Sequence, residues 1–298
     1  MSIFLDFDGT ITTADTVNEL AHFALRSQRQ AGGPDLEPQW RAIVRAYAAD
    51  CRALDAAYVP AAPDRRTPEA EIAFLRAAKH VEVASLARVR ESAMFRGIAP
   101  DALSQAGTEM AVPLRRGFAE FVARRRREGW RVYVVSVNWS AAFIEGACSA
   151  GAEGVEIRVL ANEVRERDGA VRGPGILSKE GTRNLTNSCD KLEVVRALRG
   201  EEDEGNEELR DGAPSIYFGD STTDLECLLA ASRGVVIADG EDSPLLQTLR
   251  RIGRDVPHIK EAGVSFNDDD DDDDDDRGRL VWATDFEEVM ENMKFRLK

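Results

Sequence analysis

Apolar residues follow two different rhythms along this chain. Between residues 14 and 112 they recur at helical spacing, and breaks that contain Gly and Pro, at 32–38 and 60–68, separate the helical segments. In the remainder of the chain, short apolar runs alternate with helical patterns, which is typical of a parallel sheet covered by helices on both faces. The sequence therefore predicts an α/β fold, with a Rossmann-like core at 1–13 and 113–298 and an inserted helical domain at 14–112.

The alternating part of the chain also predicts individual elements. Strands are predicted at 3–5, 131–136, 157–161, 215–218, 234–238 and 280–283. Helices are predicted at 118–128, 140–149, 190–199, 222–231 and 285–294. The helix at 118–128 carries Arg124–Arg127, which we interpret as a solvated face because Phe118 and Phe121 mark the opposite face as buried.

Two carboxylates, Asp6 and Asp8, come directly after the first predicted strand and before Gly9. Open α/β sheets bind their ligands at the ends of such strands. The pair suits covalent phosphoryl transfer, because Asp6 can attack phosphorus while Asp8 protonates the leaving oxygen and later accepts a proton from water. A Mg²⁺ or Ca²⁺ loop, or a solvated Asp-rich turn, would have the same residues.

Three further segments follow in the order that this chemistry needs. Ser136 ends a strand, and its hydroxyl can bind a phosphate oxygen or cap the next helix. Lys191 lies near the start of a helix and can hold the attacking carboxylate beside the phosphoryl group, although alone it would be a surface lysine. Asp220 can complete an all-oxygen Mg²⁺ site with Asp6 and a main-chain carbonyl. Asp224 can orient a metal-bound water, pair with Lys191, or form an Asx turn and N-cap.

As a set, these residues resemble the four motifs of the haloacid dehalogenase superfamily. Within this superfamily, Asp8 favours a phosphatase or phosphomutase, because the dehalogenases lack an acid at that position and the transport ATPases carry Thr there. The resemblance implies a Mg²⁺-dependent phosphomonoesterase that forms an aspartyl phosphate on Asp6 and acts on a small phosphorylated metabolite. It implies phosphate contacts from Gly9, Thr10, Ser136, Asn138 and Lys191, metal contacts from Asp6, Asp8 and Asp220, and a supporting role for Asp224.

Two residues are candidates for contact with the rest of the substrate. The helical insertion resembles the cap of phosphoserine phosphatases. Those enzymes have a Glu after the first motif that binds the substrate amino group, and this chain has Asp15 at the equivalent position; Asp15 can also cap the helix that follows. Those enzymes have two glycines after the motif Ser, whereas this chain has Val137-Asn138-Trp139. A Trp at this position is similar to plant phosphatase domains that act on thiamin monophosphate. Trp139 can stack on a heteroaromatic ring or serve as a core residue.

Much of the negative charge of the chain comes from two acidic segments. The formal charge is −15, and Asp268–Asp276 contributes nine of these charges. A second acidic stretch begins at Glu201. We interpret 201–212 and 267–277 as flexible insertions, or as a cation buffer or docking site for a basic partner. Such acidity disfavours nucleic-acid binding.

The remaining composition predicts a cytoplasmic protein. No stretch approaches the ~20 apolar residues of a membrane span, and the early first strand leaves no room for a signal peptide. Four scattered Cys favour reduced thiols, and three dispersed His do not indicate a zinc site. The oligomeric state is not indicated. A phosphomutase or other phosphotransferase, or a non-catalytic binding protein on the same fold, remain alternatives to a phosphatase.

Overall fold

The computed structural model describes residues 1–203, 214–262, 265–266 and 279–295. Its strands are β1 (Ser2–Leu5), β2 (Arg131–Val135), β3 (Arg158–Leu160), β4 (Glu163–Val164), β5 (Val171–Arg172), β6 (Ser215–Gly219), β7 (Arg233–Ile237), β8 (Ser265–Phe266), β9 (Leu280–Ala283) and β10 (Lys294–Phe295). Six of them form one parallel sheet in the order β3-β2-β1-β6-β7-β9. The pairs β4-β5 and β8-β10 form two small separate sheets.

The helices occupy most of the rest of the described chain. They are α1 (Val17–Gln30), α2 (Glu37–Ala57), α3 (Pro68–Ser92), α4 (Pro100–Thr108), α5 (Phe118–Arg127), α6 (Ala141–Gly151), α7 (Ser188–Asp203), α8 (Leu225–Ala230), α9 (Pro244–Arg251), α10 (Ile259–Ala262) and α11 (Phe286–Asn292). Short 3₁₀ turns lie at Ala62–Asp64 and Thr222–Asp224. Within the described ranges, no helix has the length and apolar character needed to span a membrane.

Both faces of the central sheet are buried, which explains the continuous apolar runs of its strands. In β1, Ile3 and Leu5 face one hydrophobic cluster and Phe4 faces another. Helices α1, α4, α5, α6 and α11 contribute to the first cluster, and α7, α8 and α9 contribute to the second. The prediction of a Rossmann-like parallel sheet with helices on both faces is therefore confirmed.

Strand β1 lies between β2 and β6, so the chain changes direction across the sheet at this point. Leu5 is in register with Val134 of β2 and Phe218 of β6. The carboxyl ends of the three strands therefore meet at one edge of the sheet, where open α/β folds bind ligands.

The helices between β1 and β2 pack on the core in two ways. Helix α4 lies tightly against α6, because a Cβ atom on Gly146 would approach the Ser104 carbonyl oxygen to 1.9 Å. Helix α3 is joined to the core by ion pairs. The bonded atoms are 2.9 Å apart in Glu71–Arg251, 2.5 Å in Arg76–Glu226 and 2.5 Å in Lys79–Asp190.

Several predictions about local structure need correction. Glu201–Asp203 belong to α7, whereas an insertion was predicted to begin at residue 201; the remainder of that insertion and the whole of 267–277 lie outside the described residues. Arg125 is not solvated, since it is 1% exposed and its guanidinium carbon lies 5.9 Å from the centre of the Phe121 ring. The predicted helix at 222–231 begins as a 3₁₀ turn.

Candidate active site

The structure gathers the predicted site residues at the carboxyl edge of the sheet. Asp6 follows β1, Ser136 follows β2 and Asp220 follows β6. Lys191 reaches the same place from α7, and Asp224 from the 3₁₀ turn before α8. Residues from four separate parts of the sequence therefore form one cluster.

A completely buried lysine connects two of the carboxylates. Lys191 is 0% exposed, and its Nζ lies 2.8 Å from Asp6 Oδ1 and 2.7 Å from Asp224 Oδ1. The Tyr217 hydroxyl also donates to Asp224 Oδ1, at 2.7 Å. The alternative of a surface lysine at position 191 is therefore wrong, while the predicted pairing of Asp224 with Lys191 is present.

Asp8 is held in place by two residues. Its Oδ1 accepts hydrogen bonds from the Thr16 amide at 2.7 Å and the Thr16 hydroxyl at 2.6 Å, and its Oδ2 accepts one from Asn138 Nδ2 at 2.8 Å. The Asn138 amide therefore contacts Asp8 here, and its role in phosphate binding stays a prediction. Thr16 was not predicted as a site residue, because its only distinguishing feature in the sequence is a hydroxyl at the start of the predicted first helix.

Helix capping was an alternative role for both Asp15 and Ser136, and the structure supports it for Asp15 alone. Asp15 Oδ1 accepts a hydrogen bond from the Val17 amide at 2.8 Å, at the first turn of α1, which fits the capping alternative. Ser136 does not cap α6, because Ser140 does so by accepting from the Phe143 amide. The Ser136 hydroxyl instead accepts from the Asn138 amide at 3.1 Å.

The turn after β1 fits closely against Asp220. Gly9 has a φ of 75°, and a Cβ atom there would lie 2.2 Å from Asp220 Oδ2, so both conformation and space require glycine. Thr10 Oγ1 donates to Asp220 Oδ1 at 3.1 Å. Arg115, which the sequence did not single out, donates twice to the Gly9 carbonyl oxygen, at 2.9 and 3.1 Å. It therefore fixes the shape of this turn from the loop before α5.

Carboxylate oxygens of Asp6, Asp220 and Asp224 lie within 4.8 Å of one another, close enough to bind one metal ion. Asp224 is already engaged, because its Oδ2 accepts from the Asp220 and Ser221 amides and its Oδ1 from Lys191 and Tyr217. Asp6 and Asp220 therefore have the more available oxygens. An all-oxygen donor set fits a hard cation such as Mg²⁺. Asp8 is outside this group, and its predicted metal contact stays a prediction.

The charges of the cluster are not balanced by its own residues. Burial raises the pKa of Asp6 well above its ordinary value, and the Asp224 charge adds to this effect while Lys191 opposes it. Burial and Asp224 likewise raise the pKa of Asp220 to about 7. Burial disfavours the charged form of Lys191, yet Asp224 and Asp6 raise its pKa above the usual value. A divalent cation would relieve the remaining repulsion between the carboxylates.

The carboxylates open into a cavity of about 480 Å³. Asp6, Asp8 and Asp220 line one part of it, and residues of α2 and α3 line another. Trp139 also lines the cavity, and its ring meets Trp40 and Phe95 edge to face, with centroids 6.1 Å apart in each case. Trp139 thus packs against the hydrophobic core while remaining available to a ligand.

Comparison with known proteins shows which family these residues belong to. The sequence profile of the haloacid dehalogenase-like hydrolases matches residues 3–229 of the chain. The chain belongs to this family. It is therefore a hydrolase whose sheet edge carries the acidic cluster described above, and the predicted family resemblance is confirmed.

Several proteins are similar to this haloacid dehalogenase-like hydrolase. A CTO1 family protein of Schizosaccharomyces pombe is 29% identical over 235 residues, which cover 76% of this chain and 78% of that protein. The mitochondrial bifunctional TH2 protein of Arabidopsis thaliana is 25% identical over 283 residues, covering 89% of this chain. The match spans 42% of the TH2 protein, less than half its length.

Solved structures share the fold at low sequence identity. Cytosolic 5'-nucleotidase IIIB bound to cytidine matches with a TM-score of 0.52 and 16% identity, over 84% of this chain and 78% of that one. A phosphoserine phosphatase matches with a TM-score of 0.47 and 14% identity, over 98% of both chains. At 16% identity, the likeness to the nucleotidase concerns the fold alone.

Proposed function

We propose that the chain is a Mg²⁺-dependent phosphomonoesterase that acts through an aspartyl phosphate on Asp6. The observation that carries this proposal is the buried contact of Lys191 with Asp6 and Asp224, beside Asp8 held by Thr16 and Asn138. One carboxylate is thus fixed beside a cation, and a second is fixed two residues later.

The two carboxylates divide the reaction between them. Asp6 attacks the phosphorus of the bound monoester in line, and the bond to the departing alcohol breaks. Asp8 gives its proton to that alcohol and then takes one from the water that releases phosphate from Asp6. Burial and the charge of Asp15 raise the pKa of Asp8, which favours the protonated form needed in the first step.

The remaining residues bind and orient. Lys191 and Ser136 contact oxygens of the transferring phosphoryl group, with Gly9 and Thr10 at the turn beside it. Asp6 and Asp220 would hold Mg²⁺, which supplies positive charge to neutralise the phosphoryl oxygens when bound. Asp224 keeps Lys191 in position through their 2.7 Å contact.

The helical segment 14–112 acts as a cap in this proposal. Helices α2 and α3 line the cavity opposite the carboxylates, so they contact the non-phosphate part of a small phosphorylated metabolite and exclude water. We also propose a cytoplasmic location and no nucleic-acid partner, in keeping with the unpaired cysteines and the acidic composition.

The first experiment measures inorganic phosphate released from a panel of metabolite phosphomonoesters. We expect release with Mg²⁺, loss of release in EDTA and recovery when Mg²⁺ is restored. Asp6→Asn should lower kcat by roughly a thousandfold or more, because an amide is a poor nucleophile. Glu19→Gln, on the cap helix α1, serves as the matched control and should retain activity.

Each alternative predicts a different result. A phosphomutase would move the phosphoryl group to another hydroxyl of its substrate without releasing phosphate. A non-catalytic protein would bind a monoester and leave it intact. Full activity after verified metal removal would contradict the Mg²⁺ part of the proposal.

A further inference from the structure

The cavity extends well beyond the space that a phosphate needs. Beyond the carboxylates it is lined by Trp40 and Tyr47 of α2, by Glu82 of α3 and by Trp139 after β2. We call these four residues the leaving-group pocket. Val44, on the same face of α2, also lines the cavity and is 46% exposed, which leaves apolar surface for a ligand to cover.

The aromatic residues of this pocket are held in fixed positions. The Trp40 and Trp139 rings are nearly perpendicular, with an interplanar angle of 88°, and Phe95 meets Trp139 at 89°. Trp40 is 8% exposed, so its contact with Trp139 is part of the packed interior. A rigid aromatic wall favours a flat ring, which can stack or pack edge to face without ordering mobile side chains.

The charged residues of the cavity have one sign. Its lining, taken from the described part of the chain, includes the carboxylates Asp6, Asp8, Asp15, Glu82 and Asp220 and contains no Lys or Arg. A second anionic group on the substrate would therefore face repulsion. A positively charged group would be attracted.

Glu82 is the carboxylate placed to receive such a group. The Tyr47 hydroxyl donates to Glu82 Oε1 at 2.7 Å, which orients the carboxylate and leaves Oε2 available. Among the described residues, no ion pair includes Glu82. Burial raises the pKa of Glu82, and the Tyr47 hydrogen bond opposes this rise. A cationic ligand would supply the missing counter-charge.

We propose that the leaving-group pocket recognises a flat aromatic ring carrying an aminoalkyl substituent, with the protonated alkylamine beside Glu82. The inference rests on the proposed phosphatase activity and names the class of its substrate: an aromatic alkyl phosphate with an amine remote from the phosphate. Glu82 is then a specificity-determining residue, and Tyr47 positions it.

Three synthetic substrates test this assignment: benzyl phosphate, 4-(aminomethyl)benzyl phosphate and 4-carboxybenzyl phosphate. All three break a bond to a benzylic oxygen and differ mainly at the remote end of the ring. We expect kcat/KM to fall in the order aminomethyl, unsubstituted, carboxy, with at least tenfold between the first and the last, mostly through KM. The aliphatic 2-aminoethyl phosphate should be at least tenfold poorer than the aminomethyl substrate.

The matched variants are Glu82→Gln and Glu91→Gln. Gln at position 82 keeps the shape and can still accept from Tyr47, but it removes the charge. Glu82→Gln should therefore bring the kcat/KM values of the aminomethyl and unsubstituted substrates within twofold of each other. Glu91 is exposed on α3 outside the pocket, so Glu91→Gln should keep the wild-type preference.

The outcomes separate this proposal from the proposed function. Equal kcat/KM values for the three substrates, or a preference for the carboxylate, in an active enzyme would overturn the pocket assignment and leave the phosphatase intact. If no monoester releases phosphate, tryptophan fluorescence titration with 4-(aminomethyl)benzyl alcohol and benzyl alcohol decides without turnover. Tighter binding of the amine by wild type but not by Glu82→Gln supports the assignment, and equal affinities overturn it.

Discussion

At the scale of single residues, Asp224 shows how the site is held rigid. Its two oxygens accept hydrogen bonds from Lys191, Tyr217, Ser221 and the Asp220 amide. It is also the third residue of a capping box whose N-cap is Ser221, so the alternative of an Asx turn and N-cap at Asp224 itself is wrong, while the pairing with Lys191 is present. One side chain thus begins a helix and aligns the buried lysine.

The main site residues could be predicted from sequence because each directly follows a strand or begins a helix. Asp6 and Asp220 are examples. The contacts of Arg115 and Tyr217 could not be predicted, because no local sequence pattern marks either residue. Arg115 binds the carbonyl of Gly9, 106 positions away, and no local pattern distinguishes it from the neighbouring Arg116. Tyr217 reads as one more apolar residue of β6.

Glu288 gives a prediction for pH dependence. Burial alone would raise its pKa, but hydrogen bonds from Lys260 and Thr284 and the nearby His258 lower it from 4.5 to about 2. Because the folded pKa is depressed, the stabilisation is complete above pH 4.5 and is lost as the pH falls towards 2. Glu288→Gln should lower the free energy of unfolding by about 1–3 kcal/mol at pH 7, with a difference that shrinks across this window.

Urea unfolding at a series of pH values measures this effect. Glu291→Gln, at an exposed position on the same helix α11, is the control and should change stability little at any pH. A Glu288→Gln difference that stays constant between pH 7 and 2.5 would contradict the assigned pKa shift.

At the scale of elements, the strands of the sheet were predicted well because burial on both faces gives continuous apolar runs. Helix α9 was missed although its signals are present. Ser243 caps it, Pro244 occupies its first turn, and Leu245, Leu246 and Leu249 are buried. Helix α10 has four residues, too few for a periodic pattern. The packing of α4 on α6 could not be predicted, because helical periodicity does not specify the partner of a helix.

Two Gly→Ala substitutions, one at the contact between α4 and α6 and one in α7, should change the free energy of unfolding in opposite directions. Gly146→Ala would place a Cβ atom 1.9 Å from the Ser104 carbonyl oxygen, so it should destabilise the protein by about 1–3 kcal/mol. Gly200→Ala, at an exposed position in α7 with no atom within 4 Å of the new Cβ, should stabilise by about 0.5–1 kcal/mol. Urea unfolding measures both. A Gly146→Ala variant as stable as the wild type, or more stable, would contradict the close helix contact.

At the scale of the whole molecule, α3 connects the proposed cap to the core. Its Glu71 is 3% exposed and binds Arg65 at 2.8 Å and Arg251 of α9 at 2.9 Å. Lys79 of the same helix binds Asp190, next to Lys191 in sequence. These contacts hold α3 in place against the core.

Removing the charge of Glu71, which pairs with both Arg65 and Arg251, tests how much these contacts of α3 contribute to stability. Glu71→Gln leaves Arg65, which is itself 3% exposed, without its counter-charge, so unfolding should cost about 3–5 kcal/mol less. Arg29→Gln is the control, because the ion pair of Arg29 with Asp35 is exposed. This substitution should lower the free energy of unfolding by at most about 1 kcal/mol. Equal effects of the two substitutions on the urea midpoint would contradict the structural role of Glu71.

The most direct measurement of the central claim is chemical trapping of the phosphorylated enzyme. During turnover of a monoester that the protein hydrolyses, rapid quenching followed by borohydride reduction converts an aspartyl phosphate to homoserine, which mass spectrometry locates in the sequence. The account predicts homoserine at position 6 in the wild-type protein and none in Asp6→Asn, which should also fail to turn over. Homoserine at another aspartate, or near wild-type turnover by Asp6→Asn, would contradict it.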